Sequence, residues 1–176
     1  MKTPAPISTG MKLQELCDRI GVPYRDARYA LDRGILPKGI EADPGRGRHR
    51  LFDASQAFHL AMVLKLKAAG VHTPMAGEMA QWATRIKGIA VNAGWDHQFS
   101  PFDGRLATEN KWVLEVGDGR YVRFGTDANP SHQGMDFSGW TDMSTKKAAD
   151  CAPVVTIRVD VSELAKCFIE PSPKTI

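Results

Sequence analysis

A chain of 176 residues has room for one medium domain or two small ones, and 43% hydrophobic content is that of a soluble globular protein. No apolar run approaches the roughly 20 residues of a membrane-spanning helix, and the first ten residues lack the apolar centre of a signal peptide, so a cytoplasmic protein with no membrane partner is expected. The net charge of +3 is uneven: residues 1–87 hold 14 Lys and Arg against 8 Asp and Glu, whereas residues 88–176 hold 9 against 12, so only the first half is suited to meet a polyanion.

Residues 1–10, rich in Pro, Ser and Thr, read as a disordered arm. Leu13, Leu16, Cys17 and Ile20 follow the spacing of one helical face, and Gly21 is suited to the left-handed residue that ends such a helix. Val22-Pro23 turns the chain into a second helix over 24–33, stopped at Gly34. Ile35 and Leu36 supply an apolar plug, and Pro37 blocks continuation. Residues 38–52 contain Gly39, Pro44, Gly45 and Gly47 among Arg46, Arg48, His49 and Arg50, which predicts a basic β-hairpin or extended loop. Arg46, Arg48 and Arg50 alternate and so share one side of a strand, with Leu51 and Phe52 anchoring it to the core.

Asp53 followed by Gln56 has the spacing of a capping box, which predicts a helix from there to about Ala69, apolar on more than one side and closed by Gly70. Thr73 is expected to cap a fourth helix with Pro74 at its first position and Met75, Met79, Trp82 and Ile86 on its inner face. Beyond Gly88 the helical stripes vanish. Apolar runs over 111–116 and 120–124 flank Gly117-Asp118-Gly119, a hairpin signal. Residues 154–159 form another strand candidate, Ser162 a cap for a short helix to about Phe168, and 125–152 read as long loops. The expected class is α+β: a winged helix-turn-helix unit over 11–87, mostly α with a β wing, then a small mixed, β-rich unit over 88–176.

Helix, tight turn, helix, basic hairpin, helix is an order with a physical use. The DNA major groove accepts one α-helix, and a flanking hairpin can reach phosphates or the minor groove. Arg25, Arg28 and Tyr29 lie at i, i+3 and i+4 and share a face; Arg suits phosphate and guanine edges, and the Tyr hydroxyl can donate to phosphate. Tyr24, Arg25, Arg28, Tyr29, Arg46, Arg48, His49 and Arg50 are the candidate DNA-binding residues.

The stretch from Val22 through Arg28-Tyr29 to Gly34-Ile35-Leu36-Pro37 resembles the DNA-reading helix of the MerR family. Arg50-Leu51-Phe52-Asp53 resembles the end of that family's wing, and the Ala68-Ala69-Gly70-Val71 junction its passage into a fourth helix. The resemblance covers residues 11–87. It implies contacts from Arg25, Arg28, Tyr29, Arg48 and Arg50, a homodimer on a pseudo-palindromic duplex site, and a transcriptional regulator of bacterial or phage origin. Ala30 stands where the family usually has a second aromatic, and only about 14 residues follow Pro74 before Gly88, too few for the family's dimerisation helix. Dimerisation then falls to the C-terminal unit, which is otherwise left to sense a ligand or contact RNA polymerase. An excisionase-like DNA-bending factor shares the same fold, and a protein-interaction module that no longer binds DNA is the alternative from another class.

No Walker loop, GxGxxG motif or nucleophile elbow is present, so no enzyme and no cofactor are expected. Cys17, Cys151 and Cys167 form no CxxC pair, which argues against structural zinc; Cys17 reads as a buried small hydrophobe. His97, His132, Asp96 and Asp136 have no spacing that fixes a metal or acid-base geometry. Trp95, Trp112 and Trp140 read as core packing rather than an effector pocket.

Overall fold

A computed structural model describes residues 10–33, 35, 50–84, 111–127 and 139–168. Among these the chain is mixed α and β, with five helices and a five-stranded antiparallel sheet. The division near residue 88, the expected arm over 1–10 apart from Gly10, and most of the basic segment before Arg50 lie outside the described residues.

Met11–Lys12 (β1) leads directly into Leu13–Ile20 (α1), which buries Leu16, Cys17 and Ile20. Gly21 ends α1 at φ 65°, and the Val22 N–H donates to the Cys17 carbonyl at 3.1 Å. Pro23 then opens Tyr24–Asp32 (α2): the Asp26 and Ala27 N–H groups both donate to its carbonyl. Small Ala27 and Ala30, with Leu31, form the inward face of α2. Ile35 packs against the core after the helix ends.

Leu51–Phe52 (β2) pairs antiparallel with β1, Met11 opposite Phe52 and Lys12 opposite Leu51. Two-residue strands turn successive side chains to opposite faces. Met11 and Phe52 are therefore buried, while Leu51 is exposed and does not anchor the strand as expected. The start of the helical region at Met11 is likewise a strand, since its backbone is taken up by this pairing.

Ala54–Ala68 (α3) begins at the expected capping box. Asp53 accepts the Gln56 N–H at 2.8 Å, and the Gln56 side chain accepts the Asp53 N–H at 2.9 Å. Its run from Leu60 to Leu64 is buried without interruption, so α3 is the central helix. Thr73–Thr84 (α4) starts one residue earlier than expected: the His72 carbonyl accepts the Ala76 N–H, which places Thr73 inside the first turn. Ala76, Met79 and Ala80 are buried.

Lys111–Gly117 (β3) and Tyr121–Asp127 (β4) form the expected hairpin, with Asp118 at φ 49° and Gly119 at φ 66° in its turn. The stretch expected as loops contains two strands, Trp140–Asp142 (β5) and Lys147–Ala149 (β6); three residues each are too few to show a period. Thr156–Asp160 (β7) pairs with β3, giving the order β6-β5-β4-β3-β7. The strand thus starts two residues later than expected, leaving Val154 and Val155 exposed.

Val161–Lys166 (α5) follows at once. Its cap is Asp160, whose carboxylate accepts the Glu163 N–H at 2.8 Å; Ser162 is a buried residue within the helix. Leu114, Val116 and Val122 of the sheet and Val161, Leu164, Ala165 and Phe168 belong to the same buried cluster as the cores of α1 to α4. The opposite sheet face carries a charged row: Glu115 faces Arg123 on β4 and Arg158 on β7. The Arg123 guanidinium lies 2.6 Å from Glu115 and 4.5 Å over the ring of buried Trp140. Among the described residues no helix is long and apolar enough to cross a membrane.

Candidate nucleic-acid interface

The inward face of α2 determines what points outward. With Ala27, Ala30 and Leu31 against the core, Tyr24, Arg25, Arg28 and Tyr29 all reach solvent. Arg25 is nearly fully exposed, at 93% of its side chain, and Arg28 at 66%. Two carboxylates accompany them. Asp26 lies 3.8 Å from Arg25 Nε, and Asp32 lies 3.7 Å from Arg28 Nε. Exposed pairs at that separation are worth between zero and about 1 kcal/mol, so either guanidinium can exchange its partner for a phosphate at small cost.

Tyr29 is 47% exposed and is not a core residue. Arg33 lies 5.0 Å and the Lys67 ammonium 4.5 Å from its ring centroid. The aromatic ring thus gathers one cation from the end of α2 and one from the last turn of α3. Lys67 was not among the residues singled out from sequence. It stands 38 positions from Tyr29, and no periodicity relates two helices that far apart in sequence. The one available hint is its place beside the Gly70 junction.

Arg50 precedes β2 and is partly exposed. The β1–β2 pairing ties the segment that ends at Arg50 to the base of α1. Arg46, Arg48 and His49 lie outside the described residues, so α2 and Arg50 are the candidate residues the structure places. Neither the protein-family models nor the curated proteins give a match to this chain.

The other reactive groups are placed differently. Cys17 is buried, and burial together with the neighbouring Asp18 carboxylate pushes its thiol up, which suits the apolar role expected of it. Cys151 is pushed up as well, by partial desolvation and nearby carboxylates. Among the described residues no three His, Cys, Asp or Glu side chains come together as a metal site. His97, His132, Asp96, Asp136 and Trp95 lie outside the described residues, whereas Trp140 is packed beneath Arg123.

Proposed function

We propose that this protein binds double-stranded DNA as a transcriptional regulator, with a MerR-type winged helix-turn-helix over 11–87 as its reading unit. The observation that carries this reading is the outward face of α2. Tyr24, Arg25, Arg28 and Tyr29 are presented together on a helix whose other side is seated by two alanines and a leucine. A helix so seated can enter the major groove with Arg25 and Arg28 toward base edges or phosphates. Lys67 and Arg33 widen the cationic surface around Tyr29. The segment 38–52 acts as the wing, and the β1–β2 pairing supports that role by holding its end beside the start of α1. The functional unit is a homodimer on a pseudo-palindromic site.

The test is duplex binding over a series of salt concentrations, with Arg25→Ala, Arg28→Ala and Lys67→Ala compared with the unmodified chain. Each lost phosphate contact flattens the slope of log affinity against log salt by about 0.9. Unchanged affinity and slope in all three variants would overturn the assignment. A footprint without two-fold symmetry would remove the dimer.

A further inference from the structure

At the seam between the helices and the sheet lies a cleft of about 390 Å³. Small-molecule sites span roughly 300–1,000 Å³. Ile20 and Ala69, at the ends of α1 and α3, form one apolar wall; Ile157, Val159 and Leu164 form the other. Lys65 of α3 stands between them, half-buried.

The charges at this cleft do not balance evenly. Lys65 donates one hydrogen bond, at 2.7 Å, to the Ile20 carbonyl, and among the described residues no carboxylate pairs with it. An ammonium carries three donors, so two remain for a ligand. Arg19 is already engaged with Glu15 and with the Cys167 carbonyl, and Arg158 with Glu115. Of the two acids that line the cleft, Asp160 accepts the Glu163 N–H at the start of α5 and Glu163 pairs with Lys166 at 2.5 Å, and both keep their negative charge. Three cations, Arg19, Lys65 and Arg158, against these two carboxylates leave the lining one positive charge in excess, and its walls offer apolar surface.

We propose that the cleft binds a small amphiphilic carboxylate, with its head group on Lys65 and its hydrocarbon part against Ile20, Val159 and Leu164. A half-buried ammonium makes a stronger hydrogen bond to a charged acceptor than to a neutral one, and the walls remove the tail from water. The occupant touches α1 and α3 on one side and β7 and α5 on the other. Binding therefore ties the two halves together and raises the stability of the folded chain in proportion to the logarithm of ligand concentration. The site stands apart from the outward face of α2 and does not depend on DNA binding.

Octanoate is the probe. Titrated into the isotopically labelled full chain, it produces saturable amide shift changes centred on Ile20, Ala69, Val159 and Leu164, and the melting temperature rises with its concentration. Lys65→Met keeps the apolar stem and removes the charge, and it weakens binding about tenfold or more. 1-Octanol, with the same tail and no charge, binds the unmodified chain about that much more weakly than octanoate. Ala69→Phe fills the cleft, leaves Lys65 in place and abolishes the response, which keeps the test decisive if Lys65→Met does not fold. Absence of saturable shifts at millimolar octanoate overturns the proposal, as do shifts confined to another surface. Equal binding of octanoate and octanol overturns the carboxylate assignment.

Discussion

Phe168 stands edge-on to Phe58, with ring centroids 6.4 Å apart and planes crossing at 87°. This is the geometry in which the positive edge of one ring meets the negative face of the other. Phe58 belongs to α3 and Phe168 follows α5, and both are fully buried, so the pair joins α3 to the end of α5 within the cluster that also holds the buried side chains of the sheet. Phe168→Ala leaves a cavity at that junction and is expected to cost about 3–5 kcal/mol. Urea unfolding followed by far-ultraviolet dichroism and by tryptophan fluorescence checks it. Both signals should move together to a lower midpoint, because one buried cluster runs through both halves. An unchanged midpoint would mean that the ring pair does not couple them.

Gly117 lies at the end of β3, opposite Tyr121 on one side and Thr156 on the other. A Cβ added there would sit 2.3 Å from Pro153 Cγ and 2.6 Å from Pro153 Cβ. A proline ring cannot rotate away, so the strand edge or the Pro153 turn must shift. Gly117→Ala is expected to lose about 1–3 kcal/mol by overpacking, and Pro153→Ala in the same chain should restore part of it. Gly119→Ala provides the contrast. Nothing lies within 4 Å of its Cβ position, but φ is 66°, and the cost of about 1–2 kcal/mol comes from the backbone alone. Thermal denaturation of the four variants separates these causes; full additivity of Gly117→Ala and Pro153→Ala would remove the contact explanation.

Much of the helical half was legible because its signals are local. The capping box at Asp53 and Gln56, the glycine after Ile20 and the alternation of Ala27 and Ala30 with charged residues each act within one turn of chain. The 111–124 hairpin was legible for the same reason, through Asp118-Gly119. What escaped depends on partners distant in sequence. β1 is a strand because Leu51–Phe52 lies beside it, and β7 joins β3 across more than 30 residues. Asp160, not Ser162, caps α5 because the helix begins at Val161, directly after the strand, and both residues have suitable side chains. In the candidate interface, the exposed face of α2 followed from helical spacing, whereas Lys67 reached Tyr29 only through the packing of α2 on α3.

His59 lies on α3, half-buried, and burial holds its imidazole below the ordinary value. The unfolded chain therefore takes up the proton more readily than the folded one. Stability should be complete above the ordinary value of about 6.5 and fall as pH drops through the lower folded value. His59→Gln is expected to flatten the part of the pH–stability curve between about pH 7 and 5. Urea midpoints across that range, with and without the substitution, make the comparison; parallel curves would assign the slope to other groups.

Asp142 accepts the Arg120 guanidinium through both oxygens, at 2.9 and 2.5 Å, and also takes the Ser144 N–H and hydroxyl. The Arg120 hydrogen bonds hold its carboxyl well below the usual carboxylate range; desolvation opposes them, and the Ser144 bonds add to them. The pair closes the β5–β6 turn onto the β3–β4 turn, since Arg120 leads into β4 and Asp142 ends β5. With a lowered folded value, this stabilisation is complete above the ordinary carboxylate value of about 3.9 and is lost as pH falls below it toward the folded value. Asp142→Asn should lower stability at neutral pH and shallow the acid limb of the unfolding curve. In Arg120→Gln the carboxyl should rise, because desolvation then faces the Ser144 bonds alone. A carbon-detected titration of the Asp142 carboxyl in that variant measures the rise directly. A value left where it stands in the unmodified chain would show that Ser144, and not Arg120, sets the charge at this turn.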